Sequence, residues 1–129
     1  MKIFNFKKIF FRLSTKEKML FARNLEVMTR SGMQLLDSLE ILKKQTKSKT
    51  YISLLDQLIS DVRNGYFLSV GLSKYRSIFG DFFINLVRVG ETSGTLSENF
   101  KYLAEELGKK DQLTKKVRGA MAYPIIILV

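Results

Sequence analysis

The sequence predicts an all-α fold: a compact six-helix bundle of antiparallel helix hairpins, running at its C-terminus into the start of a transmembrane helix. Three observations predict it. Apolar residues recur at helical spacing in one segment after another, with no convincing strand between them. Glycines stand between segments at Gly32, Gly65 and Gly94, each followed within three residues by the leucine of the next helix. The chain closes on the uncharged residues Ala120 to Val129, behind the basic residues Lys115, Lys116 and Arg118.

Residues 1–13, MKIFNFKKIFFRL, would place Ile3, Phe6, Phe10 and Leu13 on one helical face, with Lys2, Lys7 and Lys8 mostly off it. That pattern suits a helix lying on a membrane surface; the alternative is a tail that is disordered or packs on the domain. The bundle is expected over residues 14–118. Its first helix opens at Ser14-x-x-Glu17, a capping box, carries Leu20, Phe21, Leu25, Val27 and Met28, and stops at Gly32. The second carries Leu35, Leu36, Leu39 and Leu42 and dissolves in the polar run Lys43 to Thr50. The third carries Ile52, Leu55, Leu58, Ile59 and Val62 and ends at Asn64-Gly65; a short fourth runs from about Leu68 to Tyr75. The fifth, capped by Asp81, carries Phe82, Phe83, Leu86 and Val87 and ends at Gly90. The sixth opens with a second box, Thr95-x-x-Glu98, and carries the stripe Leu96, Phe100, Leu103, Leu107. Glycine tolerates the left-handed backbone that ends a helix, so the glycines mark three helix corners.

Residues 119–129 read as the truncated start of a first membrane helix, with Lys115, Lys116, Arg118, Tyr123 and Pro124 at the membrane boundary. Ten residues are too few to span a bilayer, which takes about 20. Of the net charge of +10, residues 1–18 hold +5 and residues 109–129 hold +4, so residues 19–108 are nearly neutral at +1. Basic residues beside an apolar span keep that side in the cytoplasm and are attracted to anionic headgroups. Membrane lipid is therefore an expected partner at both ends of the chain.

Composition excludes much. The chain has no histidine and no cysteine, which removes the usual general base, the usual metal ligands and any thiolate chemistry. Gly90-Glu91-Thr92-Ser93-Gly94 is neither a nucleophile elbow nor a phosphate loop. It reads as a helix–helix corner in which both glycines supply turn geometry. Glu91 is the unexplained member, because a negative charge is unfavourable after the C-terminal end of a helix. The N-terminus of the next helix, a basic side chain or a cation would each offset it. Glu98 and Glu105 fall on roughly one face, where a hard cation such as calcium could sit. Without EF-hand spacing they read as solvated surface, and no metal ligand is assigned. A nucleic-acid-binding domain would concentrate its basic residues on one surface, and the neutral middle argues against it.

Read with its flanks, the corner carries a family resemblance. The stretches are Phe21-Ala22-Arg23-Asn24-Leu25 with Ser31-Gly32-x-x-Leu35-Leu36; Val62-Arg63-Asn64-Gly65-x-x-Leu68-Ser69; Leu86-Val87-Arg88-Val89-Gly90-Glu91-Thr92-Ser93-Gly94-Thr95-Leu96; and Lys116-Val117-Arg118-Gly119-Ala120-Met121-Ala122-Tyr123-Pro124. In that order and spacing the chain resembles the N-terminal cytoplasmic domain of the type II secretion F-domain family, the inner-membrane platform proteins of type II secretion and type IV pilus systems. Asn24 stands where glutamine is usual, and Met33-Gln34 replaces a more apolar pair.

The resemblance implies a non-enzymatic platform at the bacterial inner membrane, facing the cytoplasm, between an assembly ATPase and pilin or pseudopilin subunits. It further implies a homodimer and, as the one open cofactor, a structural calcium with no residues assigned. Arg88, Gly90, Glu91, Ser93 and Gly94 are the expected partner-binding or structural corner, with Gly32 and Gly65 as helix-corner glycines. A membrane-tethered helical adaptor of another family is the alternative.

Overall fold

A computed structural model describes the backbone of residues 12–128 and the side chains of residues 12–113, 115 and 116. Six helices follow in chain order: α1 (Thr15–Arg30), α2 (Leu35–Gln45), α3 (Lys49–Arg63), α4 (Leu68–Ser73), α5 (Arg76–Ser93) and α6 (Leu96–Leu128). No strand occurs among the described residues. The expected all-α six-helix bundle is present. Of the segment 1–13, only Arg12 and Leu13 are described, and Leu13 is buried in the core.

Local rules explain most boundaries. At the start of α1 the Glu17 N–H donates to Ser14 Oγ (3.1 Å) and the Ser14 N–H donates to Glu17 Oε1 (3.2 Å), the two bonds of a capping box. After α1, Gly32 takes φ +90°, with Gly32 N–H on Thr29 O and Met33 N–H on Met28 O. After α3, Gly65 takes φ +91°, with Gly65 N–H on Val62 O and Tyr66 N–H on Asp61 O. These paired bonds satisfy carbonyls that the helix itself cannot. The same logic closes α5 at Gly94 (φ +74°), where the Thr95 N–H reaches Gly90 O at 2.9 Å.

α1 and α6 run antiparallel: Met19 lies against Gly108 at one end, and Thr29 shares a groove with Leu96 and Ser97 at the other. Phe21, Phe79 and Phe83 meet with ring centroids 5.1–6.1 Å apart. Around them pack Leu25, Leu39, Leu55, Leu58, Leu72 and Phe100, all fully buried. The bundle therefore has two poles. The three glycine corners share one. The other holds the start of α1, the α2–α3 connection, the start of α5 and residues 107–110 of α6. There the Lys18 Nζ donates to Ile78 O at 3.2 Å, and Glu17 shares a groove with Gln45, Thr46 and Tyr51.

Several expectations are corrected. The transmembrane helix is the largest: among the described residues no helix is long and apolar enough to cross a membrane. α6 runs on to Leu128, but its last eighteen residues include Asp111, Lys115, Lys116 and Arg118. The fifth helix does not end at Gly90. Gly90 is buried inside it, and the chain leaves the helix only at the left-handed Gly94. A helical turn from Arg76 precedes it, set apart by a kink at Gly80 whose backbone (φ +84°, ψ 159°) is not helical, so the fifth helix proper begins after that glycine. Asp81, one residue past that kink, pairs with Arg76 Nε at 2.8 Å.

The second capping box does not form; no side-chain bond joins Thr95 and Glu98 among the described residues. Its backbone donor is already spent, since the Thr95 N–H closes α5 on Gly90 O. Of the apolar residues these helices carry, Leu20, Val27 and Phe82 are exposed.

Candidate functional site

The corner Gly90–Gly94 faces an open groove of about 380 Å³ in which all three glycine corners meet. Thr29 comes from the first corner, Phe67 from the second, and Glu91, Gly94 and Leu96 from the third. The groove has this shape because α5 and α6 approach closely at Gly90. A Cβ there would stand 2.9 Å from Leu96 Cα and 3.2 Å from Asn99 Nδ2. The Asn99 amide fixes the crossing by donating to Leu86 O at 2.7 Å.

Glu91 has a partner that the sequence did not suggest. Its Oε2 accepts from the Leu68 N–H (2.6 Å) and its Oε1 from the Ser69 N–H (2.9 Å). These amides open α4, whose N-cap Phe67 has no side-chain cap bond. A helix's first N–H groups lack intrahelical partners and favour a negative charge. Glu91 thus caps α4 from 23 residues away, tying the second corner to the third. The helix it offsets is α4, not the next helix α6.

The remaining expected corner residues divide. Arg88 is exposed and is not ion-paired with Glu91 among the described residues; its carbonyl accepts from Thr92 Oγ1 at 3.0 Å. Ser93 and Gly94 are exposed. Phe67, 50% exposed, lines the same groove, and Met33 and Tyr66 at the first and second corners are exposed too. Gly32 and Gly65 stand at their corners with left-handed backbone, and no atom lies within 4 Å of a Cβ built on either. Far from this pole, Lys115 pairs with Asp111 (3.3 Å) and Lys116 is exposed. The side chains of Arg118, Tyr123 and Pro124 lie outside the described residues.

Glu98 and Glu105 are both exposed, and among the described residues no three acidic, histidine or cysteine side chains converge as a metal site would need. The sequence pattern did not single out Asp61. It is buried, and both its oxygens accept from Lys74 Nζ at 3.0 Å while Gln57 Nε2 donates to it at 3.3 Å, joining α3 to α4. A signal for it exists in the chain: it follows Leu58 by three residues, on the apolar face.

The chain matches the family described as type II secretion system (T2SS), protein F, over residues 21–129. It is 41% identical over 114 residues to the type IV pilus assembly protein PilC of Thermus thermophilus, covering 88% of this chain and 28% of that protein. It is 30% identical over 117 residues to the type II secretion system protein F of Vibrio cholerae, covering 91% and 29%. It is 35% identical over 104 residues to the protein transport protein HofC homolog of Escherichia coli, covering 81% and 26%. The chain spans less than a third of the length of these relatives.

Proposed function

Because the chain belongs to the type II secretion system protein F family, we propose that it is one domain of a platform protein that couples an assembly ATPase to polymerisation of pilin or pseudopilin subunits. The proposed location is the cytoplasmic side of a bacterial inner membrane, and association into a homodimer is part of the reading. The match over residues 21–129 carries it. The role is structural, not catalytic, in keeping with a sequence that holds no histidine and no cysteine.

The proposed contact surface is the pole where the glycine corners meet. Glu91, Gly90 and Gly94 shape that pole, while Arg88, Ser93 and Phe67 face outward for a partner. A rigid corner suits the transmission of force, since a displacement applied at Arg88 passes through α5 and the Glu91 cap into α4 and α6.

The test introduces Arg88→Glu and Ser93→Asp into the intact platform protein. Expected are an unchanged melting temperature and a loss of ATPase capture and of pilus or secretion assembly. Capture and assembly at normal levels in the double variant would sink the assignment of this pole.

A further inference from the structure

Opposite the glycine corners, the fold gathers positive charge from three separate stretches of sequence. The first turn of α1 supplies Lys16 and Lys18. The α2–α3 connection and its edges supply Lys44, Lys47 and Lys49, all exposed. α6 supplies Lys110. The groove shared by Glu17, Gln45, Thr46 and Tyr51 places the second stretch beside the first. Met19 against Gly108 places the third beside the first. Lys16 and Lys18 from early in the chain and Lys110 from late in it thus share one pole, and a basic stretch from the nearly neutral middle joins them.

The carboxylates nearest this pole are already engaged by other basic residues: Asp56 pairs with Lys43, Asp81 with Arg76, Glu106 with Lys109 and Asp111 with Lys115. The Glu17 carboxylate accepts from the Ser14 N–H, and Lys16, Lys44, Lys47 and Lys49 have no carboxylate partner among the described residues. Burial first, and the charge of Lys110 second, push the Lys18 pKa below its ordinary value. Like charges held together work against folding, and an anionic surface would offset that cost. Two leucines lie among these cations, Leu20 at 39% and Leu113 at 62% exposure. Aliphatic side chains beside lysines suit the headgroup–acyl boundary of a bilayer. Bases would instead call for exposed aromatics to stack on.

We propose that this pole, through Lys16, Lys18, Lys44, Lys47, Lys49 and Lys110, docks on an anionic lipid bilayer surface. It rests on charge placement alone and is independent of the assembly role above.

The whole chain is floated with phosphatidylcholine vesicles, with and without phosphatidylglycerol, at low and high salt. The informative variant is Lys44→Gln, Lys47→Gln and Lys49→Gln together, because that connection is remote in sequence from both chain ends. Each lysine near an anionic surface is worth about fivefold in partitioning, so the triple variant should bind about 100-fold more weakly. High salt should act likewise on the unaltered chain, and Lys101→Gln should change nothing. If the triple variant does not fold, Lys47→Gln alone should show the fivefold loss. Unaltered binding by the loop variants would overturn the proposal, assigning lipid attraction to the chain ends alone. Equal binding to neutral vesicles would overturn it too, as would tighter binding to a DNA duplex than to anionic vesicles at equal ionic strength.

Discussion

Replacing Glu91 by alanine removes both acceptors from the start of α4. The bonds are short, 2.6 and 2.9 Å, and their acceptor is a carboxylate. A hydrogen bond to a charged group contributes about 1.5–3 kcal/mol net when buried. Glu91 is only partly buried and faces an open groove, so water can reach the freed amides. The lower end applies, giving about 3 kcal/mol for the pair. For a chain of this size each kcal/mol moves the melting temperature by about 3–5 °C, so Glu91→Ala should melt about 10–15 °C lower. Glu91→Gln keeps one acceptor but turns its NH2 toward a donor, and should lose roughly half as much, about 1–2 kcal/mol. Calorimetry measures the shift, and hydrogen exchange locates it: the Leu68 and Ser69 amides should lose protection before those in the middle of α3. A shift below about 2 °C in Glu91→Ala, with both amides still protected, would refute the cap and return Glu91 to the alternatives its position in the sequence left open, a basic side chain or a cation.

Gly90→Ala would gain up to about 1 kcal/mol of helix propensity in isolation. Here the added Cβ meets the Leu96 backbone at 2.9 Å, so α5 and α6 must separate and a net loss of about 1–3 kcal/mol is expected in denaturant titrations. Alkaline stability should depend on Tyr51, whose pKa is raised well above its ordinary 10.0 by burial, with the charge of Glu17 adding to it. The unfolded tyrosine ionises first, so its contribution is full below pH 10 and is lost as pH rises toward the folded value. Tyr75 shifts in the same direction, while Lys18, with a lowered pKa, adds stability as pH rises toward 10.5. Tyr51→Phe should therefore lose less stability than the unaltered chain between about pH 9 and about pH 11; an identical decline would exclude Tyr51 as its source.

What the sequence disclosed depends on how far each determinant reaches. Ser14 with Glu17, Gly32 and Gly65 act within five residues, so helix starts and stops could be read from the chain alone. The partner of Glu91 lies 23 residues back, and nothing local to Leu68 announces that its N–H lacks a cap. Gly90 misled for a related reason. Both corner glycines looked like turn formers, yet only Gly94 has left-handed backbone. Gly90 is there for close approach to Leu96, a tertiary demand that local pattern does not express. The C-terminal apolar stretch invited the membrane reading, but among the described residues no helix is long and apolar enough to cross a membrane, and Lys115, Lys116 and Arg118 share its helix.

The corner motif thus combines three separable roles within five residues. Gly90 sets the distance between α5 and α6, Glu91 binds α4, and Gly94 turns the chain. Each acts inside the fold, so a variant at any of them would alter partner binding only by altering the corner's shape. Arg88 and Ser93 differ, because they hold no neighbouring helix in place. The two classes should separate in paired measurements. At Gly90 and Glu91, loss of assembly should track loss of melting temperature and recover at lower temperature, where the corner re-forms. At Arg88 and Ser93, loss of assembly should appear at full stability and persist on cooling. An Arg88 variant whose defect recovers on cooling would move Arg88 into the first class and leave the outward-facing surface without its charged residue.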